Sequence, residues 1–236
     1  MSEHTVRQYD IELDNIRTRV LQMGGYVEQQ VVQALEGLLE GDLNVIDRVI
    51  GNDHRVNELE VELDEAIAQI IAKRQPAAGD LRSILSVSKV VTDLERIGDE
   101  AKKISKVAKL VYETAAVAAT PRVQLRHIGG LAIDLLRRSL DAFARLDIDS
   151  AGEVCKLDKE VDAEFKAVMR QLITFMMEDP RTISRGIDLL FAAKAMERVG
   201  DHAKNIAEYV IFQVRGRDVR HVGLEELQRE IASPKA

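Results

Sequence analysis

Glu95-Arg-Ile-Gly-Asp-Glu-Ala-Lys-Lys-Ile104 returns 102 positions later as Glu197-Arg-Val-Gly-Asp-His-Ala-Lys-Asn-Ile206. An acid, an arginine, an aliphatic residue, a glycine, an aspartate and an Ala-Lys pair recur in one order, and such self-similarity outranks any local reading of the chain. Working outward, Gly24-Gly25, Leu35-Glu36, Asp42-Leu43-Asn44 and Asp53 with Val56-Asn57 reappear at a constant offset of 105. They become Gly129-Gly130, Leu140-Asp141, Asp147-Ile148-Asp149 and Asp158 with Val161-Asp162. Pro76 and Pro180 differ by 104, so only loop lengths have drifted. The expectation is an all-α chain of two tandem, pseudo-symmetric three-helix bundles joined near residue 118. They cover residues 1–117 and 118–218, and a tail over 219–236 has room for a short helix.

The punctuation agrees. Only four prolines interrupt 236 residues, and the long stretches between them carry apolar spacing near 3.6. Gly41-Asp42 reads as a helix stop followed by a cap, Pro76-Ala-Ala-Gly-Asp80 as a loop ending in a cap, and Thr120-Pro121 and Asp179-Pro180 as caps before a first-turn proline. Helices are expected at about 4–40, 43–74, 80–116, 121–146, 149–178 and 182–215, with a short one near 224–232. No period-2 run bounded by hairpin turns argues for a strand. Glycine inside a helix costs about 1 kcal/mol relative to alanine. The paired glycines at matching places in the first and fourth helices therefore predict close backbone approach to a neighbouring helix.

Composition excludes several classes. Hydrophobic residues reach 46%, but aromatics only 4% with no tryptophan, so the core is aliphatic, as suits helix-on-helix packing. Forty acidic against 33 basic residues leave a net charge of −7, a field that repels nucleic acid. Cys155 is the one cysteine, which rules out an intramolecular disulfide and reads as an inert core residue in a reducing compartment. The polar start Met1-Ser-Glu-His-Thr-Val is not a signal peptide, and no apolar run is long enough to span a bilayer. The chain is expected to be cytoplasmic, with no direct membrane insertion, reaching the membrane only through partners.

On a helical projection Leu94, Ile97, Ala101 and Ile104 form one stripe, as do Met196, Val199, Ala203, Ile206 and Val210. Glu95 with Asp99, and Glu197 with Asp201, fall well off those stripes and are expected to point outward. Carboxylates four residues apart on one face repel and favour a shared cation. Asp158 with Asp162 on the fifth helix repeats the spacing, and Asp53 with Asn57 is its counterpart on the second. Two antiparallel helices per half would then bring four oxygen-bearing side chains together. All-oxygen ligation suits Mg, Ca, Mn or ferrous iron and admits zinc. On spacing alone, carboxylates near Lys102, Lys106 and Lys204 also fit a solvated, salt-bridged helix surface. Arg96 and Arg198 are expected in local ion pairs or domain contacts. The five histidines form no Glu-x-x-His pair, which excludes a buried di-iron bundle; His202, beside Asp201, is a candidate fifth ligand.

No phosphate loop, dinucleotide fingerprint, zinc-protease helix or nucleophile elbow is present, so the chain is expected to bind and regulate rather than catalyse. Two alternatives stand beside that: a metal-dependent phosphoester hydrolase, which needs an open coordination position, and a plain helical scaffold whose acids are only solvated.

Together, the duplicated Glu-Arg-[Ile/Val]-Gly-Asp, the Met23-Gly-Gly25 and Ile128-Gly-Gly130 pairs, Ile71-Ala-Lys-Arg-Gln-Pro76 and Met176-Met-Glu-Asp-Pro-Arg-Thr-Ile183 resemble the PhoU family of bacterial phosphate-transport and phosphate-regulon regulators. The likeness runs from about Ile16 to Gly223. It implies two tandem three-helix bundles in a cytoplasmic protein that restrains phosphate uptake and phosphate-starvation gene expression when phosphate is plentiful. The implied partners are the ATPase subunit of the high-affinity phosphate ABC transporter and the phosphate sensor histidine kinase, and a homodimer is expected. The family's metal motif, an acid, three intervening residues, then Asp, matches Glu95/Asp99, Glu197/Asp201 and Asp158/Asp162. Asp53/Asn57 departs from it by a neutral amide, which implies weaker binding in the first half.

Overall fold

Helices begin where a side chain can satisfy the free backbone amides of the first turn. Asp42 accepts from the amides of Asn44 and Val45, and Asp147 from those of Asp149 and Ser150. The computed structural model, which describes residues 2–113 and 122–232, places α1 at Ser2–Glu40, α2 at Leu43–Arg74 and α3 at Ala78–Glu113. These are followed by α4 at Arg122–Arg145, α5 at Ile148–Glu178, α6 at Ile183–Arg215 and α7 at Leu224–Ala232. Among the described residues there is no strand.

Gly41 ends α1 with φ 77°, a left-handed conformation that glycine adopts without strain. Asp179 caps a 3-10 turn, Pro180–Thr182, that leads into α6. One boundary differs from expectation: α3 starts at Ala78, so Asp80 lies in its first turn rather than capping it. Gln75 and Ala78 take φ 49° and 47°, and these two left-handed residues tighten the connection enough for the helix to begin early. The expected junction near residue 118, the cap at Thr120-Pro121 and the last turn expected for α3 lie outside the described residues.

The halves are built alike and packed face to face. α1, α2 and α3 form one three-helix unit and α4, α5 and α6 the other; α3 lies on α6 and α1 on α4, with α2 and α5 on the outside. Both seams are antiparallel. Lys89 stacks on Tyr209, Asp93 meets His202 and Glu100 meets Arg198, so the α3 numbers rise as the α6 numbers fall. One aliphatic core runs through both units, and the stripes read from the sequence, Leu94 to Ile104 and Met196 to Val210, are buried within it.

The glycine pairs act at the α1/α4 seam, one member of each. A Cβ on Gly24 would lie 2.6 Å from Leu140 Cδ2, and one on Gly129 2.6 Å from Leu35 Cδ1, whereas Gly25 and Gly130 have nothing within 4 Å. The approach is thus a leucine side chain seated in a glycine notch, made twice by residues related through the repeat, rather than backbone against backbone. Within each unit, a Cβ on Gly98 would lie 3.1 Å from Val56 Cγ1 and one on Gly200 3.2 Å from Val161 Cγ1. These notches draw α2 close to α3 and α5 close to α6.

Candidate functional site

Those close crossings set the depth of the carboxylates. Asp53 lies one turn before Val56 on α2, and Asp158 one turn before Val161 on α5; they are 5% and 4% exposed. Glu197 is buried at 8%, Glu95, Asp99, Asp162 and Asp201 are half-buried, and Asn57 is exposed. This corrects the outward-pointing surface expected from projecting one helix at a time. The acids line crevices between α2 and α3 and between α5 and α6, because the neighbouring helix stands over the flank that its own helix leaves free.

The expected partners do come together electrostatically. The pKa of Glu95 is raised by burial first and then by the charges of Asp99, Glu60 and Asp53. That of Asp201 is pushed up to about 6 by burial and then by Glu197, Asp158 and Asp162. Glu60, absent from the sequence reading, joins the first group, its own pKa raised by burial and by Asp64 and Asp99.

Two lysines complete the crevices. Lys102 Nζ donates to Asp53 Oδ2 at 2.5 Å, and Lys204 Nζ to Asp158 Oδ2 at 2.9 Å. In the second repeat Lys194 also donates to Glu197 at 2.6 Å while lying over the Phe165 ring; position 92, its counterpart, is threonine.

The donor set suits a hard cation in chemistry, since every acid offers oxygen. The arrangement does not. Among the described residues no three His, Cys, Asp or Glu side chains converge closely enough to hold a metal ion, and the two most buried of these crevice acids, Asp53 and Asp158, are bonded to lysine. As arranged, these residues do not fit a resident metal.

His202 is not part of this group. Its Nδ1 lies 2.6 Å from Asp93 Oδ1 on α3, and Asn205 Nδ2 donates to the same oxygen at 3.1 Å. The side chains of His202 and Asp93 are 8% and 7% exposed, so they form a buried polar tie between the repeats. Arg198 behaves as expected, meeting buried Glu100 of α3 at 3.2 Å, with Lys103 on the same carboxylate at 2.9 Å. Asp93 and Glu100 escaped the sequence reading because they do not repeat: Ala195 and His202 stand in their places. Lys102 and Lys204 do repeat, and that signal was available.

Behind Lys204, Glu208 is buried at 6%, with its pKa pushed up to about 7 mainly by burial. Cys155 is buried alongside, its thiol raised to about 12, in line with an inert core residue. Folded Glu208 keeps its proton up to about pH 7, whereas an unfolded glutamate releases it near 4.3. The folded state therefore binds the extra proton in between, the penalty is complete above pH 7, and acidification from pH 8 to 5 relieves it. Glu208→Gln is expected to stabilise the chain by roughly 2 kcal/mol at pH 8 and by little at pH 5. Urea unfolding at the two pH values checks this; equal effects would remove Glu208 as the source.

A duplicated three-helix bundle with acid-x3-Asp motifs at Glu95/Asp99, Asp158/Asp162 and Glu197/Asp201 defines a class of duplicated helical-bundle proteins, and comparison with known proteins resolves which. The PhoU domain matches residues 20–108 and again 125–210. The phosphate-specific transport system accessory protein PhoU homolog of Pseudomonas aeruginosa is 46% identical over 98% of this chain and 95% of its own length. PhoU of Escherichia coli K12 is 45% identical over the same shares. Among solved structures, PhoU from Pseudomonas aeruginosa has a TM-score of 0.85 over 89% of this chain and 100% of that one, at 46% identity. The phosphate transport system regulatory protein PhoU from Streptococcus pneumoniae has a TM-score of 0.82 at 27% identity, covering 89% and 99%. The chain belongs to the PhoU family.

Proposed function

We propose that this chain is a non-enzymatic accessory of phosphate transport that restrains high-affinity phosphate uptake and phosphate-starvation gene expression when phosphate is plentiful. It acts as an adaptor between the ATPase subunit of the phosphate ABC transporter and the phosphate sensor histidine kinase. The observation that carries the reading is its end-to-end likeness to proteins named as phosphate transport accessories, at 46% and 45% identity over 98% of the chain. Among the described residues no helix is long and apolar enough to cross a membrane, so on this reading the chain meets the transporter by docking.

The half-buried rims of the crevices, Glu95 with Asp99 and Asp162 with Asp201, are the acidic surfaces offered to basic partner surfaces. Complementary charge of this kind speeds encounter and makes association sensitive to salt. Two similar faces on one chain allow two partners to be held together, so that the state of one biases the other.

Alkaline phosphatase activity in phosphate-replete cells of the source organism tests this, with the intact gene, a deletion, or the four changes Glu95→Gln, Asp99→Asn, Glu197→Gln and Asp201→Asn. High activity is expected in the deletion and in the fourfold variant, and low activity with the intact gene. High activity in the deletion alone would keep the regulator and remove the carboxylates from its docking surface. Low activity in all three would overturn the phosphate assignment.

A further inference from the structure

Exposed apolar side chains are ordinary when scattered singly, whereas a contiguous group marks a surface that another molecule covers. Ile173 and Met177 of α5 and Ile183, Ile187 and Phe191 of α6 are all exposed, Met177 by 77% and Phe191 by 64%. Lys194 over the Phe165 ring and Met176 in the notch at Gly186 fix how these two antiparallel helices line up. In that register Met177 is level with Ile183, Ile173 with Ile187 and half-buried Met169 with Phe191. The apolar residues thus climb the helix pair as three rungs, with Phe165 and Lys194 as the fourth. Beyond it stand Asp162, one turn on along α5, and Asp201, two turns on along α6. Both are half-buried, and among the described residues neither is in an ion pair.

The three-helix unit does not need this ladder in order to fold, because the first repeat lacks it. The positions related to Met169, Ile173 and Met177 hold Asp64, Ala68 and Ala72. The position related to Phe191 holds Lys89, which stacks on Tyr209 and Phe212. We infer that the outer α5/α6 face is a docking groove for one amphipathic helix of a partner protein, which brings an apolar stripe to the rungs and basic residues to the end over Asp162 and Asp201. The inference deepens the docking role proposed above and rests on it. Its test needs only the purified chain and a peptide, so failure there would leave the phosphatase comparison standing.

Length and charge both select a helix. From Met177 to Asp162 the face runs about 22 Å along α5, roughly four helical turns, and a helix laid in a groove anchors itself through apolar residues at i, i+4 and i+7. Acids at one end alone favour a basic end on the partner and set its direction. A bilayer fits less well. Interfacial residues sink about 5–10 Å, whereas Ile183 to Phe191 alone spans about 12 Å along α6, and Glu178 and Asp179 stand at the tip that would enter first. A second copy fits less well too. Laid antiparallel over the whole face it sets rungs against acids, and laid parallel it sets acids against acids.

The probe is a synthetic helical peptide of about 16 residues, with leucines at i, i+4, i+7 and i+11, lysines at its C-terminal end and a fluorophore at the other. Its anisotropy is followed as the purified full-length chain is added, and saturable binding in the micromolar range is expected. Phe191→Ser and Ile173→Ser are each expected to weaken it about tenfold, as is exchanging the peptide's lysines for glutamates. Leu85→Ser, at the place in the first repeat related to Ile187, is expected to leave it unchanged. A second measurement needs no variant: a photoreactive group on one peptide leucine is expected to label the unaltered chain on α5 and α6 between Met169 and Phe191. No binding, binding indifferent to the peptide's charge or to Phe191→Ser, or label placed elsewhere would each overturn the inference. So would a dimer, seen by sedimentation, that Phe191→Ser abolishes, or binding to phosphatidylglycerol vesicles that the same change abolishes, since either gives the face a different occupant.

Discussion

His202→Ala is expected to lower the unfolding free energy by about 3 kcal/mol, the range found when one partner of a buried polar pair is removed. The loss arises from what stays behind. Asp93, 5% exposed, would keep Asn205 at 3.1 Å but lose the ring nitrogen at 2.6 Å. Its remaining neighbour Tyr209 is itself buried, with a pKa pushed to about 12 by burial first and Asp93 next. In a chain of this size such a loss corresponds to a fall in melting temperature of about 6 to 12 °C. Asp93→Ala is expected to cost a similar amount, and the double variant much less than the sum of the two, with a coupling of at least about 1 kcal/mol. Denaturant unfolding of the four proteins measures it, and additive losses would show that the two side chains do not act as a pair.

Neighbouring glycines are expected to respond with opposite signs. Gly24→Val and Gly129→Val push side chains into the space held by Leu140 and Leu35, both of which sit in the core. Overpacking of that kind costs about 1–3 kcal/mol per site. Gly25→Ala and Gly130→Ala enter open space on exposed helix surface, where removing the glycine penalty stabilises by about 0.5–1 kcal/mol. Melting temperatures of the four single variants suffice; destabilisation by Gly130→Ala as large as that by Gly129→Val would contradict the notch geometry.

The architecture was open to sequence reasoning because duplication writes it twice, and the buried stripes through Leu94 and Met196 followed from helical spacing. The depth of the acids was not open in the same way. A projection reports only where a residue stands on its own helix, and whether Asp53 or Asp158 meets water is decided by how closely α3 and α6 cross above them. Gly98 and Gly200 carried that information, since each accepts a valine from the outer helix. Asp80 was misread as a cap because the left-handed turn is made by Gln75 and Ala78, residue types that do not advertise it. Asp93, Glu100 and Glu208 have no counterparts in the other repeat, and a method that follows repetition passes over residues that do not repeat.

The reciprocal seating of Leu140 against Gly24 and Leu35 against Gly129 is the signature of an isologous interface, in which patch i meets patch j and j meets i. Two separate copies of one three-helix unit would have to keep both halves of such an interface identical, since one gene writes both. Joined in a single chain, the halves answer to different codons. One side of the α3/α6 axis has become Asp93 with His202, while the positions related to them hold Ala195 and Glu100. Fusion has thus turned an obligatory symmetry into an optional one, leaving each flank free to specialise while the shared core keeps their spacing constant.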